Sequence, residues 1–127
     1  YNNHVEIFGD EKETRARIMR IVTDSKGLAD PKDPATCNVF ALYQLFASNA
    51  DRDTMAQKLR AGGYGYGDAK KALFEAMWGY FEPFRKKRKE LEKDMDHVQS
   101  VLRKGADHAR SEARKTLNLA RRAVGLD

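Results

Sequence analysis

One cysteine, Cys37, stands in 127 residues. An internal disulfide is therefore excluded, and a lone thiol fits a reducing compartment. Its ordinary role is that of a small buried residue on a helix. The three histidines, His4, His97 and His108, have no companion at metal-ligand spacing, so no metal centre is expected. No apolar run approaches the roughly 20 residues of a membrane span, and no signal peptide opens the chain. Because it starts on Tyr1 rather than Met, a trimmed chain is expected. The glycine-rich run Gly62–Gly67 has no strand before it and lacks the G-x-G-x-x-G spacing, which makes it an interhelical turn. No serine or cysteine has a base near it in sequence, so the chain offers no catalytic constellation.

What the sequence does contain is helical periodicity. Leu73, Met77, Tyr80, Phe84, Leu91, Met95, Val98 and Leu102 recur on one helical face, which predicts a long element from about Gly67 to Lys104. Pro83 removes its own N–H and crowds the carbonyl of Gly79, so a kink is expected there. Asp10 opens an earlier helix whose predicted buried face is Ile18, Met19, Ile21 and Val22. Asp33-Pro34 opens another, predicted from Ala35 to about Ser48, with Val39, Phe40, Leu42, Tyr43 and Phe46 inward at the centre of the fold. A short helix from Asn49 or Asp51 turns Met55, Ala56 and Leu59 inward and ends at Gly62-Gly63. Asp68 is the expected cap of the long element, and Gly105 its expected break before a last helix ending at Gly125. The fold class is all-α: a compact helical bundle with one long kinked helix and a short extended N-terminal arm.

Charge is unevenly placed. From Arg85 to Arg122 thirteen Lys/Arg face six Asp/Glu, while the remainder is slightly acidic, within a total of +5. Such a basic half points to a polyanion, nucleic acid ahead of membrane, although a solvated helical surface carries the same pattern. Glu90, Glu92, Asp94 and Asp96 lie among lysines and are expected to pair within the helix.

Several stretches resemble the C-terminal part of bacterial tryptophan–tRNA ligases, a class I synthetase family. They are Tyr1-Asn-Asn3 with the extended VEIF after it, Ile18-Met-Arg-Ile-Val-Thr-Asp-Ser25, Asp33-Pro-Ala-Thr-Cys-Asn-Val-Phe40 and Gly67-Asp-Ala-Lys-Lys-Ala-Leu73. Phe81-Glu-Pro-Phe84, Gly105-Ala-Asp-His-Ala-Arg110 and Ala123-Val-Gly-Leu126 extend the likeness over essentially the whole chain. The family's HIGH-type motif, Rossmann sheet, tryptophan pocket and KMSKS lysines are absent from this sequence. For the full-length enzyme the resemblance implies activation of tryptophan with ATP and Mg, transfer to tRNA(Trp), a cytoplasmic location and a homodimer. For this chain it implies residues 1–9 as an arm following the absent KMSKS loop, and residues 10–127 as the helical anticodon-binding domain. The chain alone is expected to be inactive, to carry no cofactor or metal, to make no membrane contact and to be a monomer. Its expected partners are tRNA(Trp) and the missing catalytic domain.

Asn3 is the one position carried over to the edge of the nucleotide loop. For tRNA, base contacts are expected from Asn38 and Tyr43, and phosphate contacts from Lys70, Lys71, Arg85 and Arg88, with Arg110 and Arg114 further out. Each has a structural reading as well: Asn38 completes a cap, Tyr43 is core, and the cations are solvated. Gly9 and the Ser25–Pro34 loop are the expected hinge positions. The competing reading is a helical protein-interaction or structural module without RNA specificity.

Overall fold

The computed structural model describes residues 4–126. Asn3, the expected nucleotide-loop position, lies outside them. The chain divides into two compact units, Tyr1–Arg85 and Lys86–Asp127, and the described elements are all helical.

In the first unit, α1 (Glu11–Met19) starts where the Asp10 carboxylate accepts from the backbone N–H groups of Lys12 and Glu13. It ends before the β-branched run Ile21-Val22-Thr23, which resists helix. The predicted buried face is therefore cut short. Ile18 is buried beside Thr14, whereas Met19 is exposed and Val22 is 78% exposed. The expected helix over 35–48 is also subdivided. Pro34–Thr36 forms one 3-10 turn capped by Asp33, Cys37 is extended, and α2 (Asn38–Tyr43) follows. The ψ of 107° at Cys37 breaks the helical path, and its buried side chain holds that bend in the core. Val39, Phe40 and Tyr43 face inward, but Leu42 is exposed.

α3 (Asn49–Ala61) is capped by Ser48, whose Oγ accepts from the Asp51 N–H and donates to the Asp51 carboxylate at 2.6 Å. It buries Met55, Ala56 and Leu59 as predicted. Gly62 and Gly63 end it with φ of 78° and 75°. α4 (Tyr66–Tyr80) begins after Gly65, so Asp68 lies within the first turn instead of capping it. Ala69, Leu73, Phe74 and Met77 are its buried face. α4 packs against both α1 and α2, and the segment after Pro34 packs against both α3 and α4, so the two share the centre of this unit. Fully burying side chains of this size contributes about 1.5–3 kcal/mol each.

The helix is interrupted at Phe81, between Gly79 and Pro83 where the kink was expected, and resumes as α5 (Glu82–Leu91). A second interruption at Glu92–Asp94 was not foreseen. There Asp94 acts as an N-cap, accepting from the His97 N–H at 3.0 Å. α6 (Met95–Ala123) then runs 29 residues straight through Gly105. The expected break at Gly105 does not occur, because one glycine costs a helix interior only about 1 kcal/mol. Among the described residues of α6 none is buried; Leu102 is 66% exposed. The distal half of the predicted core stripe is thus a surface stripe.

Candidate nucleic-acid interface

The end of α1 and the segment following it are held by three side chains from two other elements, α2 and α4. Lys70 on α4 donates to the Met19 carbonyl at 3.1 Å, and Asn38 Nδ2 donates to the Val22 carbonyl at 3.3 Å. The Tyr66 hydroxyl donates to Asp24 Oδ1 at 2.7 Å. That bond, with one from the Lys26 N–H, holds the Asp24 carboxyl below its usual range. Burial, then the bond to Asp24, pushes the Tyr66 phenol well above its ordinary range.

Beyond Asp24 the loop closes around Lys32. This lysine is 2% exposed, and its ammonium donates to the carbonyls of Gly27, Asp30 and Leu28 at 2.7, 3.0 and 3.4 Å. The Tyr66 ring lies 5.3 Å from the same Nζ. Gly63 N–H donates to Leu28 O, and Lys32 N–H to Leu59 O, tying the loop to the end of α3. The Ser25–Pro34 stretch, expected as a hinge, is therefore pinned at several points.

Of the predicted RNA contacts, Asn38 is exposed and reaches the Val22 carbonyl instead of capping α2. Tyr43 is core, and burial followed by the Asp51 charge raises its pKa. A ring so enclosed presents no face for a base. Lys70 is half-buried on Met19, while Lys71 is exposed and paired with Asp68 at 3.3 Å. Arg85 lies over the Trp78 ring, 3.6 Å from its centroid, and donates to the Trp78 carbonyl. In the second unit Arg88 pairs with Glu92 at 2.8 Å and Arg110 with Asp107 at 3.0 Å. Arg110 and Arg114 share a shallow recess with Ser111 and Asn118. The eight positions are thus divided between the two units.

The two units also differ in charge, though less sharply than the Arg85–Arg122 stretch differs from the rest of the sequence. Lys86–Asp127 holds twelve Lys/Arg against seven Asp/Glu, which is the entire +5, and the first unit is neutral. Its ion pairs are short-range pairs along exposed helix surface, each worth about 0.2–0.5 kcal/mol. Pairs that weak leave their cations available to a phosphate. Sequence reasoning missed Lys32, Tyr66 and Trp78. Lysine ordinarily signals surface, Tyr66 was subsumed in a glycine-rich turn, and Trp78 lies off the predicted stripe.

An apolar cavity of about 660 Å³ also opens in the first unit, lined by Val5, Ile18, Ile21, Phe46, Leu73 and Met77 among others. Arg17 lies at its edge and donates to the His4 carbonyl. Among the described residues no group of three His, Cys, Asp or Glu could hold a metal ion, and no helix is long and apolar enough to cross a membrane.

No protein-family model matches the chain. Curated relatives do. A tryptophan–tRNA ligase from Rhodopirellula baltica is 52% identical over 126 residues, covering 99% of this chain and 39% of the relative. One from Fusobacterium nucleatum is 40% identical over 99% of the chain and 38% of the relative. The crystal structure of Campylobacter jejuni tryptophanyl-tRNA synthetase with ADP and tryptophan superposes with a TM-score of 0.86 at 36% identity, over 99% of this chain and 40% of that one. The chain matches the helical C-terminal part of bacterial tryptophan–tRNA ligases. It spans about two fifths of the length of the ligases it matches. With the ligase family in view, the Ile18–Ser25 stretch and the Asp33–Phe40 stretch whose Asn38 holds it are two of those that carried the resemblance in sequence.

Proposed function

We propose that this chain is the anticodon-binding part of a tryptophan–tRNA ligase. It would hold the anticodon region of tRNA(Trp) while the catalytic domain, outside this chain, joins tryptophan to the tRNA with ATP and Mg. The observation that supports this is the match to tryptophan–tRNA ligases along 99% of the chain, at up to 52% identity among those compared. Residues 1–9 then serve as the tether to the nucleotide-binding loop, with Asn3 at its edge, and residues 10–127 as the RNA-binding part. The full-length protein is a cytoplasmic homodimer in this reading.

The recognition physics follows from the charge. An anticodon loop presents unpaired bases that stack and hydrogen-bond, and its phosphates need cations. Lys71, Arg85, Arg88, Arg110 and Arg114 are the phosphate candidates. Asn38 can offer a base only the hydrogen-bonding capacity left beyond the Val22 carbonyl, and Lys70 supports α1. Fluorescence anisotropy with labelled tRNA(Trp), and with the same tRNA carrying a replaced anticodon, tests the reading at several salt concentrations. Tighter, salt-sensitive binding to the native anticodon is expected. Equal affinity for both would reduce the chain to a basic helical surface.

A second reading has one observation in its favour. Met95, Leu102 and Leu117 are all exposed on α6, as a protein-interaction helix requires. Sedimentation showing self-association lost in Leu102→Glu would favour it.

A further inference from the structure

Four side chains of the first unit stack in the order Arg15, Phe74, Trp78, Arg85. The Arg15 guanidinium carbon is 4.1 Å from the Phe74 ring centroid. Phe74 and Trp78 lie 5.5 Å apart with 19° between their planes. Arg85 lies over the Trp78 ring, its guanidinium carbon 3.6 Å from the centroid. The two ends of the stack are not equivalent. Phe74 is 2% exposed, so its end is sealed. Trp78 is half-buried, and it is the end that meets solvent.

One flexible side chain lies over Trp78. Arg85 reaches it from α5, retained by the ring and by the Trp78 carbonyl. An indole stacked on a buried ring and overlaid by a planar cation is shaped for another planar π system. Nucleobases stack on both aromatic rings and guanidinium planes, so a base can enter between Trp78 and Arg85 and keep both partners. Charge selects the class of ligand. With guanidinium groups at both ends, the stack repels a lysine- or arginine-bearing peptide and attracts a base that carries its phosphate.

We propose that Trp78 is the stacking platform for one unpaired base of an RNA ligand, with Arg85 closing over that base. The proposal rests on the RNA-binding reading above and adds a residue to it. It also moves Arg85 from phosphate contact to base contact.

Trp78 is the sole tryptophan, so its emission reports the event directly. The full chain is titrated with a labelled RNA hairpin bearing a loop of about seven unpaired nucleotides. The comparator is a blunt duplex of the same stem. Anisotropy reads binding, and tryptophan emission reads stacking in the same samples. Loop-bearing RNA is expected to bind and quench the emission, and the duplex to leave emission unchanged. Trp78→Phe keeps a ring and retains hairpin binding, whereas Trp78→Leu weakens it about tenfold. Arg85→Ala leaves the tryptophan in place, so quenching by the hairpin persists at reduced affinity even if the Leu variant is misfolded. Hairpin binding with unchanged emission, or equal quenching by the duplex, would overturn the platform and leave the RNA-binding reading standing. Failure of both RNAs to bind would overturn both.

Discussion

The ammonium of Lys32 lies 2.7 Å from the carbonyl oxygen of Gly27, inside a loop where the lysine is 2% exposed. Its other acceptors are the carbonyls of Leu28 and Asp30, so it gathers three carbonyls of one loop at one point. Replacing it by Met fills the space but leaves three carbonyls without that donor. Hydrogen bonds to a charged group are worth about 1.5–3 kcal/mol each, and unmade ones carry a desolvation cost. Lys32→Met is expected to destabilise the first unit by roughly 2–4 kcal/mol. Urea unfolding followed by Trp78 emission measures it, and a midpoint equal to wild type would refute the cage.

The two glycines after α3 make an internal comparison. At Gly62, φ is 78° and an added Cβ would lie 2.4 Å from the Ala29 carbonyl oxygen; at Gly63, φ is 75° with nothing within 4 Å. Gly63→Ala meets only the left-handed backbone penalty, about 1–2 kcal/mol. Gly62→Ala meets a comparable penalty plus displacement of the Lys32 loop, together about 3 kcal/mol or more. Thermal melts of the two variants should separate clearly. Equal shifts would mean that the Ala29 loop yields freely.

Gly105 predicts the opposite sign. It lies inside α6 with open space around its Cβ position. Gly105→Ala should therefore stabilise the helix by about 0.5–1 kcal/mol. Slower amide exchange around residue 105 would show it, and faster exchange would indicate that the glycine has a packing role.

These contrasts show what a sequence can and cannot convey. Asp10, Leu73, Met77, Met55, Leu59 and the Gly62-Gly63 stop were legible because caps, 3.6-residue periodicity and positive φ are local properties. Asp94 was hidden, since a carboxylate among lysines reads equally as an ion-pair partner and as a cap. Val22, Leu42 and Leu102 show a different limit: periodicity marks an apolar face but not whether anything covers it. Among candidate site residues, Lys71 is exposed as expected. Lys70 and Asn38, by contrast, bind backbone distant in sequence, which no local pattern encodes. Family resemblance reached further than either because it carries tertiary information that single residues lack.

The Tyr66–Asp24 bond gives a pH signature with a defined sign. Asp24 has its folded pKa depressed, so its contribution is fully present above the unfolded value near 3.9 and fades as pH falls through the lower folded value. Tyr66 is raised, so its contribution is complete below about pH 10 and fades only as pH rises through its elevated folded value. Tyr66→Phe removes the hydroxyl and with it the Tyr66 dependence and the largest cause of the Asp24 one, leaving the part due to the Lys26 N–H. Its stability gap from wild type should be flat near neutrality and narrow at both extremes. NMR titration of the Asp24 carboxyl should show a pKa moving up toward 3.9 in the variant. An unmoved Asp24 would place the cause in the Lys26 N–H instead.

Charge reversal separates cations that support the fold from cations that would meet RNA. Lys70→Glu removes the donor to Met19 and should lower the melting temperature of the first unit. Lys71→Glu and Arg88→Glu break exposed pairs worth only tenths of a kcal/mol, so their melts should stay close to wild type. If these two cations contact phosphate, each reversal weakens tRNA binding and lowers the slope of log K against log salt by about 0.7–0.9. The slope decides the matter, because misfolding reduces the bound fraction without shifting the counterion count in this stepwise way. An unchanged slope in either variant would remove that residue from the interface, and unchanged slopes in both would turn attention to Arg110 and Arg114 on α6.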